Sequence, residues 1–399
     1  MHFFLFSGNK NIKSACCIKK IIGVFMKSNQ FVKNLSQMIF VSAGLLFAVT
    51  FSVCPMSCRS SVENLELLSG DFSVPKITKF CATSSNSARI DFSREVELKN
   101  TELFLLDEVS TLGNVECKYE ENTVLLEFQN ETAIGIDYKI EGMAFDSAGN
   151  SLTFSVPFKG FNSNPAKVII TELRNAYGTK TIKETKERVH RSEFVELYVL
   201  KEGNLSGLEI ISAANGDKTK FILPAIEVKK GDYVTLHMRT IVAEGLDGEG
   251  MFNELENNLK LSTHEDSCDT ARDLWSECTK KPFAASDIVV LRNSNTSEIL
   301  DAVVFAKSDC TEWKKGISDF ASIVSESGVW QDGASVENAV CCDNVTPTAT
   351  TRSLSRQNLK EAIAAYKNGQ PIVNGKDCWI VAKTATPGYK NSDIPYVKK

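Results

Sequence analysis

The chain has 399 residues, with 45 Lys and Arg against 50 Asp and Glu, a formal net charge of −5. Six lysines (Lys10, Lys13, Lys19, Lys20, Lys27, Lys33) and no acid precede Cys58, which leaves 39 basic against 50 acidic residues, or −11, from Cys58 onward. An acidic body argues against a generic nucleic-acid binder, which needs a basic field, and 43% hydrophobic residues exclude a disordered chain.

The charge-free run MIFVSAGLLFAVTFSVC from Met38 to Cys54 follows Lys27 and Lys33. A basic segment, an apolar segment and then small residues form the layout of an export signal. The run is slightly short for a membrane span of roughly 20 residues. Pro55-Met56-Ser57-Cys58 follows it and resembles a relaxed bacterial lipoprotein signal, in which the cysteine becomes the lipidated first residue. Pro55 and Met56 depart from the usual pattern. Cys58 is the expected lipid site and Cys54, preceded by the bulkier Val53, is its rival. A cleaved secretory signal and a retained anchor rank behind the lipoprotein. Residues 1–25 sit awkwardly before this signal, so Met26 is the expected initiator. A precursor peptide that begins upstream of Met26 would overturn that assignment. The leader is thus 1–57, and residues 58–74 form the lipidated cysteine and a tether.

Eight cysteines follow Cys58: Cys81, Cys117, Cys268, Cys278, Cys310, Cys341, Cys342 and Cys378. An even number in an exported chain suggests disulfides. Cys81 and Cys117 fall in one region and the other six in the next, so each region can pair internally. A zinc site at His264, Cys268 and Cys278 lacks a Cys-x-x-Cys spacing to support it.

Residues 75–160 read as successive strands. Ala88–Phe92 alternates, Val124–Phe128 is more continuously apolar, and Tyr138–Glu141 and Leu152–Val156 flank the turn Asp146–Asn150. The stretch from Tyr138 to Phe158 resembles bacterial immunoglobulin-like domains. Asp146 and Asn150 suit a side-chain-capped turn better than a calcium site. Gly160-Phe161-Asn162-Ser163-Asn164-Pro165 supplies the linker, residues 161–165. Beyond it, 166–399 begins with the strand Val168–Leu173. Glu193–Leu200, Leu208–Ile211, Phe221–Leu223 and Tyr233–His237 follow, then a hairpin of Asp287–Leu291 with Ile299–Phe305. Gln357–Asn368 reads as a short helix with Leu359, Ile363 and Tyr366 on one face.

This succession resembles the lamin tail domain, an immunoglobulin-like β-sandwich. The matching pieces are Thr171-Glu172-Leu173, Glu193-Phe194-Val195-Glu196-Leu197-Tyr198, Leu205-Ser206-Gly207 and Gly231-Asp232-Tyr233-Val234. Leu300-Asp301-Ala302-Val303, Ser353-Leu354-Ser355-Arg356, Trp379 and Thr386-Pro387-Gly388-Tyr389-Lys390-Asn391 follow in order. Leu208 stands where the family often has Trp, and Val199 where Asn often follows. Two insertions, about residues 240–285 and 306–352, depart from the pattern and hold five of the six cysteines. The resemblance implies an all-β fold: two immunoglobulin-like β-sandwich domains, the second lamin-tail-like with partly helical insertions. Gly207, Gly231 and Gly388 suit turns that need positive φ, and Pro387 presets a turn. Trp379 is expected to plug a core. Arg356 is expected to fork onto Glu196 or Glu172.

The chemistry is sparse. His190-x-x-Glu193-x-x-Glu196 would share a helix face, but its β-forming composition points to a strand. There His190 and Glu196 face one way and Glu193 the other. His237 ends a strand as a boundary residue. His264-Glu265-Asp266 and the Lys180–Arg191 string read as solvated charge. No nucleophile elbow, phosphate loop, dinucleotide fingerprint or H-E-x-x-H pattern is present. No catalytic residue, cofactor or metal is therefore expected. The expectation is a non-enzymatic, lipid-anchored interaction or scaffold module of the bacterial envelope. Its partners would be the membrane, through the lipid, and a protein or glycan ligand, with nucleic acid not a default partner. An accessory or substrate-binding component of an extracellular nuclease or other hydrolase is the alternative.

Overall fold

The structure is a computed structural model that describes residues 72–398, apart from 182, 184, 185, 187, 242–249, 344 and 346–349. The export leader, Met26, Cys54 and Cys58 lie outside the described residues. The described residues are predominantly β.

The first region holds β1 (Ile77–Ser84), β2 (Ser87–Phe92), β3 (Glu97–Leu105), β4 (Thr111–Glu120), β5 (Thr123–Phe128), β6 (Asp137–Phe145) and β7 (Ser151–Lys159). They form one antiparallel sheet in the order β1-β2-β5-β4-β3-β6-β7. The alternation of buried and accessible residues is clean in β6, where Tyr138, Ile140, Gly142 and Ala144 turn inward. β4 pairs with β3 through its first half and with β5 through its second. The sheet curls far enough that Phe80 on β1 meets Phe158 on β7, ring centroids 5.2 Å apart. Ile90, Leu103, Val124, Leu126, Ile140 and Phe154 fill the core so enclosed. At the β6–β7 turn, Asp146 Oδ1 accepts from the backbone N–H of Ala148 and Asn150, at 3.0 and 2.8 Å. The Asn150 Nδ2 donates to Oδ2 at 2.9 Å, and Arg94 closes the turn with an ion pair at 3.2 Å.

The second region holds β8 (Lys167–Arg174), β9 (Gly178–Thr181), β10 (Arg188–Arg191), β11 (Phe194–Lys201), β12 (Gly203–Asn204), β13 (Leu208–Ser212), β14 (Phe221–Ile222) and β15 (Glu227–Val228). It continues with β16 (Tyr233–His237), β17 (Arg272–Trp275), β18 (Asp287–Asn293), β19 (Ile299–Ala306), β20 (Val340–Cys341), β21 (Ser353–Arg356) and β22 (Trp379–Ala382), with helices α1 (Lys315–Ser327) and α2 (Leu359–Lys367). A six-stranded sheet runs β17-β16-β11-β8-β21-β22 and a five-stranded one β14-β13-β18-β19-β20. Both feed one core. Val168, Ile170, Val195, Leu197, Val234 and Leu236 come from the first, and Ile210, Val289, Val290, Val303 and Val304 from the second. Ile317, Ala321 and Val324 of α1, with the fully buried Trp330, pack into the same core. Ala362 of α2, with Leu359, Ile363 and Tyr366, covers Ile169 and Leu200 in a separate cluster.

The two insertions behave differently. The described part of 240–285 contains no helix and adds β17 to the sheet as a parallel neighbour of β16. The segment 306–352 supplies α1 and β20.

The disulfide expectation is corrected. All eight cysteines, Cys81, Cys117, Cys268, Cys278, Cys310, Cys341, Cys342 and Cys378, are unpaired. For the first pair the reason is topological. β2 and β5 lie between β1 and β4, so Cys81 and Cys117 are three strand steps apart. At about 4.8 Å per step that is roughly 14 Å, twice the ~7 Å that a disulfide tolerates. In the second region Cys268 lies against Gly388, Cys342 donates to the Ala285 carbonyl and Cys378 neighbours Asn358. An even count carries no information about which Cβ atoms meet.

Candidate functional site

The face of the six-stranded sheet turned away from the main core carries polar side chains, and they are buried. Strand register sets them in rows. One row runs Asp273, Thr235, Glu196, Glu172 and Ser355 across five strands. The next runs Trp275, His237, Phe194 and Arg174. Alternation sends Val195 and Leu197 to the core and Phe194 and Glu196 to this face.

Glu172 and Glu196 sit directly opposite each other on β8 and β11, both at zero exposure. Glu172 accepts from the Ser353 hydroxyl, the backbone N–H of Thr386 at 3.0 Å and the Thr386 hydroxyl at 3.2 Å. Glu196 Oε1 accepts from Thr171 Oγ1 at 2.7 Å and Oε2 from the Gly388 N–H at 2.7 Å. The two carboxyl groups therefore grip the Thr386-Pro387-Gly388 turn by the two backbone N–H groups that flank a proline, which has none. Asn391 Nδ2 donates to the Thr171 carbonyl at 2.6 Å and fastens the same segment. Burial pushes the Glu172 carboxyl up to about 7. Glu196 is pushed well up, by burial first and then by the facing Glu172.

Beside this pair, Arg174 is fully buried and its Nη2 is ion-paired with Asp266. The Asp266 carboxylate also pairs with Arg191 at 3.1 Å. Burial alone would raise Asp266, but the two guanidinium groups outweigh it and hold its carboxyl below the ordinary range. His237 is no boundary residue: it is buried, its Nε2 lies 2.8 Å from Asp273 Oδ1, and its ring stacks on Trp275 at 3.6 Å. His264 meets the same indole edge-on at 5.0 Å, and burial lowers its imidazole to about 4. These placements correct the reading of His264-Glu265-Asp266 as solvated charge. The Lys180–Arg191 string is likewise not one solvated loop. Its ends form the β9–β10 hairpin, and Arg191 is mostly buried against Glu265 and Asp266.

The string His190, Glu193, Glu196 does not lie on one continuous strand. β10 ends at Arg191 and β11 starts at Phe194. His190 neighbours Tyr177, while Glu193 is buried and ion-paired with Arg239 at 3.2 Å. Burial raises the Glu193 carboxyl against the pull of Arg239.

Arg356 does not reach Glu196 or Glu172. Its Nη1 donates to Asp301 Oδ2 at 2.9 Å and to the Ile170 carbonyl at 3.0 Å, and its Nε to Asn358 Oδ1 at 3.1 Å. Asp301 also accepts from the Ile170 N–H at 2.8 Å and, at Oδ1, from Asn374 Nδ2 at 2.8 Å. The Trp379 Nε1 donates to Asn374 Oδ1 at 2.8 Å. Trp379 is thus core filler and also the end of a polar chain. Gly207 and Gly231 hold φ of +88° and +95°, the left-handed region that suits glycine.

Apart from Glu193, which Arg239 holds, and the turn glycines Gly207 and Gly231, the motif residues fall into two networks. Glu172, Glu196, Pro387 and Gly388 form one, and Asp301, Arg356 and Trp379 the other. Asn374, Arg174, Asp266 and Asp273 lie beside them, and of these the sequence had marked only Asp266, as solvated charge. Asn374 matches no motif, and the two aspartates lie in an insertion. Among the described residues no group of three or more His, Cys, Asp or Glu side chains is placed to hold a metal ion. A separate groove of about 490 Å³ is lined by Phe221, Ile222, Leu255, Leu274 and Trp275, with Lys220 and Glu277 among its polar groups.

The chain is 32% identical over 190 residues to an uncharacterized protein of Treponema pallidum (strain Nichols). The match covers 47% of this chain and 43% of that relative, so the chain spans less than half of the relative's length. Among solved structures it is similar to a DUF4876 family protein from Bacteroides thetaiotaomicron VPI-5482, at 11% identity and a TM-score of 0.32, over 81% of this chain and 98% of that one. It is also similar to the N-terminal part of the bacterial S-layer protein SbsC, at 16% identity and a TM-score of 0.22, over 59% and 45%. Scores this low carry no weight for the fold. The family described as TP_1001_2nd, protein second domain, matches residues 166–381, more than half of the sequence, and the chain belongs to that family.

Proposed function

We propose that this chain is an exported bacterial lipoprotein, fastened to the cell envelope through Cys58, that works as a non-enzymatic interaction or scaffold module. In this reading 75–160 is an immunoglobulin-like domain that spaces a lamin-tail-like domain, 166–399, away from the membrane. One observation carries the non-enzymatic part. The side chains of the second region best suited to chemistry are spent on internal partners: Glu172 and Glu196 on the Thr386–Gly388 turn, Asp266 on Arg174 and Arg191, His237 on Asp273. Such groups are closed to a substrate without rearrangement of the segments that cover them. The six leading lysines, the apolar run and Ser57-Cys58 support the anchor. The acidic body favours a protein or glycan ligand over nucleic acid.

Two measurements test the proposal. In cells expressing the chain and fed an alkyne-tagged fatty acid, label is expected on the native protein and on Cys54→Ala, and none on Cys58→Ala. An unlabelled native protein would remove the lipid anchor, and label lost only in Cys54→Ala would move it. Turnover of phosphodiester, ester or peptide substrates by the purified protein, abolished in a folded His190→Ala variant, would overturn the non-enzymatic reading.

A further inference from the structure

We propose that Glu172 and Glu196 form a proton-sharing latch that fastens the C-terminal segment 383–391 to the sheet and loosens it as pH rises.

First, the two glutamates are directly opposed on neighbouring strands, on one face, and both are fully buried. Two carboxylates so close in a desolvated site cannot both ionise without a large penalty. Second, the donors that touch them are neutral. The Ser353, Thr171 and Thr386 hydroxyls and the Thr386 and Gly388 N–H groups supply the contacts. Charged and titratable groups face the pair from each element around it. Arg174 on β8 draws Glu172 down, but it is ion-paired with Asp266 and burial outweighs it. Tyr198 on β11 and Tyr233 on β16 are acids themselves, and Tyr233 is raised by burial and then by Glu196. Cys268 in the first insertion adds a further acid and pushes Glu196 upward. Tyr389 of the segment itself is hydrogen-bonded to Cys268.

Third, the site has a place for a carboxyl proton. Thr171 Oγ1 lies 3.4 Å from the Glu196 carbonyl, to which it can donate. The same hydroxyl, which donates to the ionised Glu196 Oε1 at 2.7 Å, can then turn and accept a hydrogen bond from that oxygen when it is protonated. When that proton leaves, the second negative charge is relieved only by water. The segment 383–391 is part of what excludes water, and it is joined to the pair by the Thr386 and Gly388 hydrogen bonds. Lifting it is therefore the local route to hydration.

The sign follows. Both carboxyl groups lie above their ordinary value in the folded chain. Their contribution to stability is complete at pH below that ordinary value. It is lost as pH rises through the folded values, about 7 for Glu172 and well above the ordinary carboxyl range for Glu196.

The test is hydrogen exchange by mass spectrometry on the full chain from about pH 5 to about pH 9, corrected for intrinsic chemical exchange. Protection of the peptide spanning 383–391 is expected to fall at least about tenfold relative to β18 and β19. Glu196→Gln keeps an acceptor oxygen and leaves Glu172 as the one ionisable carboxyl of the pair, so its protection is expected to fall clearly less with pH than that of the native protein. Equal pH dependence in both proteins, or none in the native one, would overturn the latch. If Glu196→Gln does not fold, Glu172→Gln serves the same test. The infrared carboxylic-acid band of the native protein at neutral pH gives a further reading: its presence supports the shared proton and its absence refutes it.

Discussion

Replacement of Arg356 by alanine is expected to destabilise the second region by about 3–5 kcal/mol, because it strands the buried Asp301 carboxylate without its cation. Arg356 is 1% exposed and Asp301 3%, so solvent screens neither group. The substitution also removes the donor to the Ile170 carbonyl and the support under Asn358. At roughly 2–4 °C per kcal/mol for a region of this size, the melting temperature should drop by about 10 °C. Thermal unfolding followed by circular dichroism checks this, and a shift under about 1 °C would refute it. A double-mutant cycle identifies the partner. Coupling of about 1–3 kcal/mol is expected for Arg356 with Asp301 and close to none with Glu172.

Gly388→Ala is expected to cost about 2–5 kcal/mol, from two sources that can be separated. Gly388 holds φ +78°, and a Cβ there would stand 2.5 Å from the Cys268 Cβ and 2.9 Å from the Ala271 Cβ. The left-handed conformation costs a side chain about 1–2 kcal/mol, and forced overpacking adds about 1–3 kcal/mol. Gly231→Ala is the internal control. Its φ is +95°, but an added Cβ would meet only the Tyr198 hydroxyl, at 3.9 Å, so only the conformational cost applies. Denaturant unfolding should rank Gly388→Ala below Gly231→Ala and the native protein above both. Equal losses at the two glycines would mean that the turn does not press on Cys268. Because the turn is bound through the Gly388 N–H to Glu196, the Gly388→Ala protein should also lose protection in segment 383–391.

Much of the chain's local structure was legible. The two-residue period in Ala88–Phe92 and Tyr138–Glu141 corresponds to β2 and β6, because alternation encodes which face meets a core. The hairpin across Asn293–Thr296 and the helix near 357–368 were likewise local, set by turn chemistry and apolar spacing. Glu172, Glu196, Arg356 and Trp379 all lie in the second region, but the motif reading misassigned who meets whom. Arg356 follows β21 to Asp301 on β19, because both point to the side where Ile170 and Asn374 wait. Glu196 instead faces the C-terminal turn.

By itself, the sequence determined the charge split between a basic N-terminal stretch and an acidic remainder, the positions of about half of the described strands and the glycines that turns require. These depend on composition, period and backbone sterics over a few residues. Only the tertiary structure decided that His237, Asp266 and the two opposed glutamates are buried, and that Cys81 and Cys117 stand on strands too far apart to bond. A charged residue reads as solvated until something covers it. Here the covers are β17 with its preceding loop and the segment 383–391, which lie about 40 to 200 residues away along the chain and reach these side chains only through strand order and register.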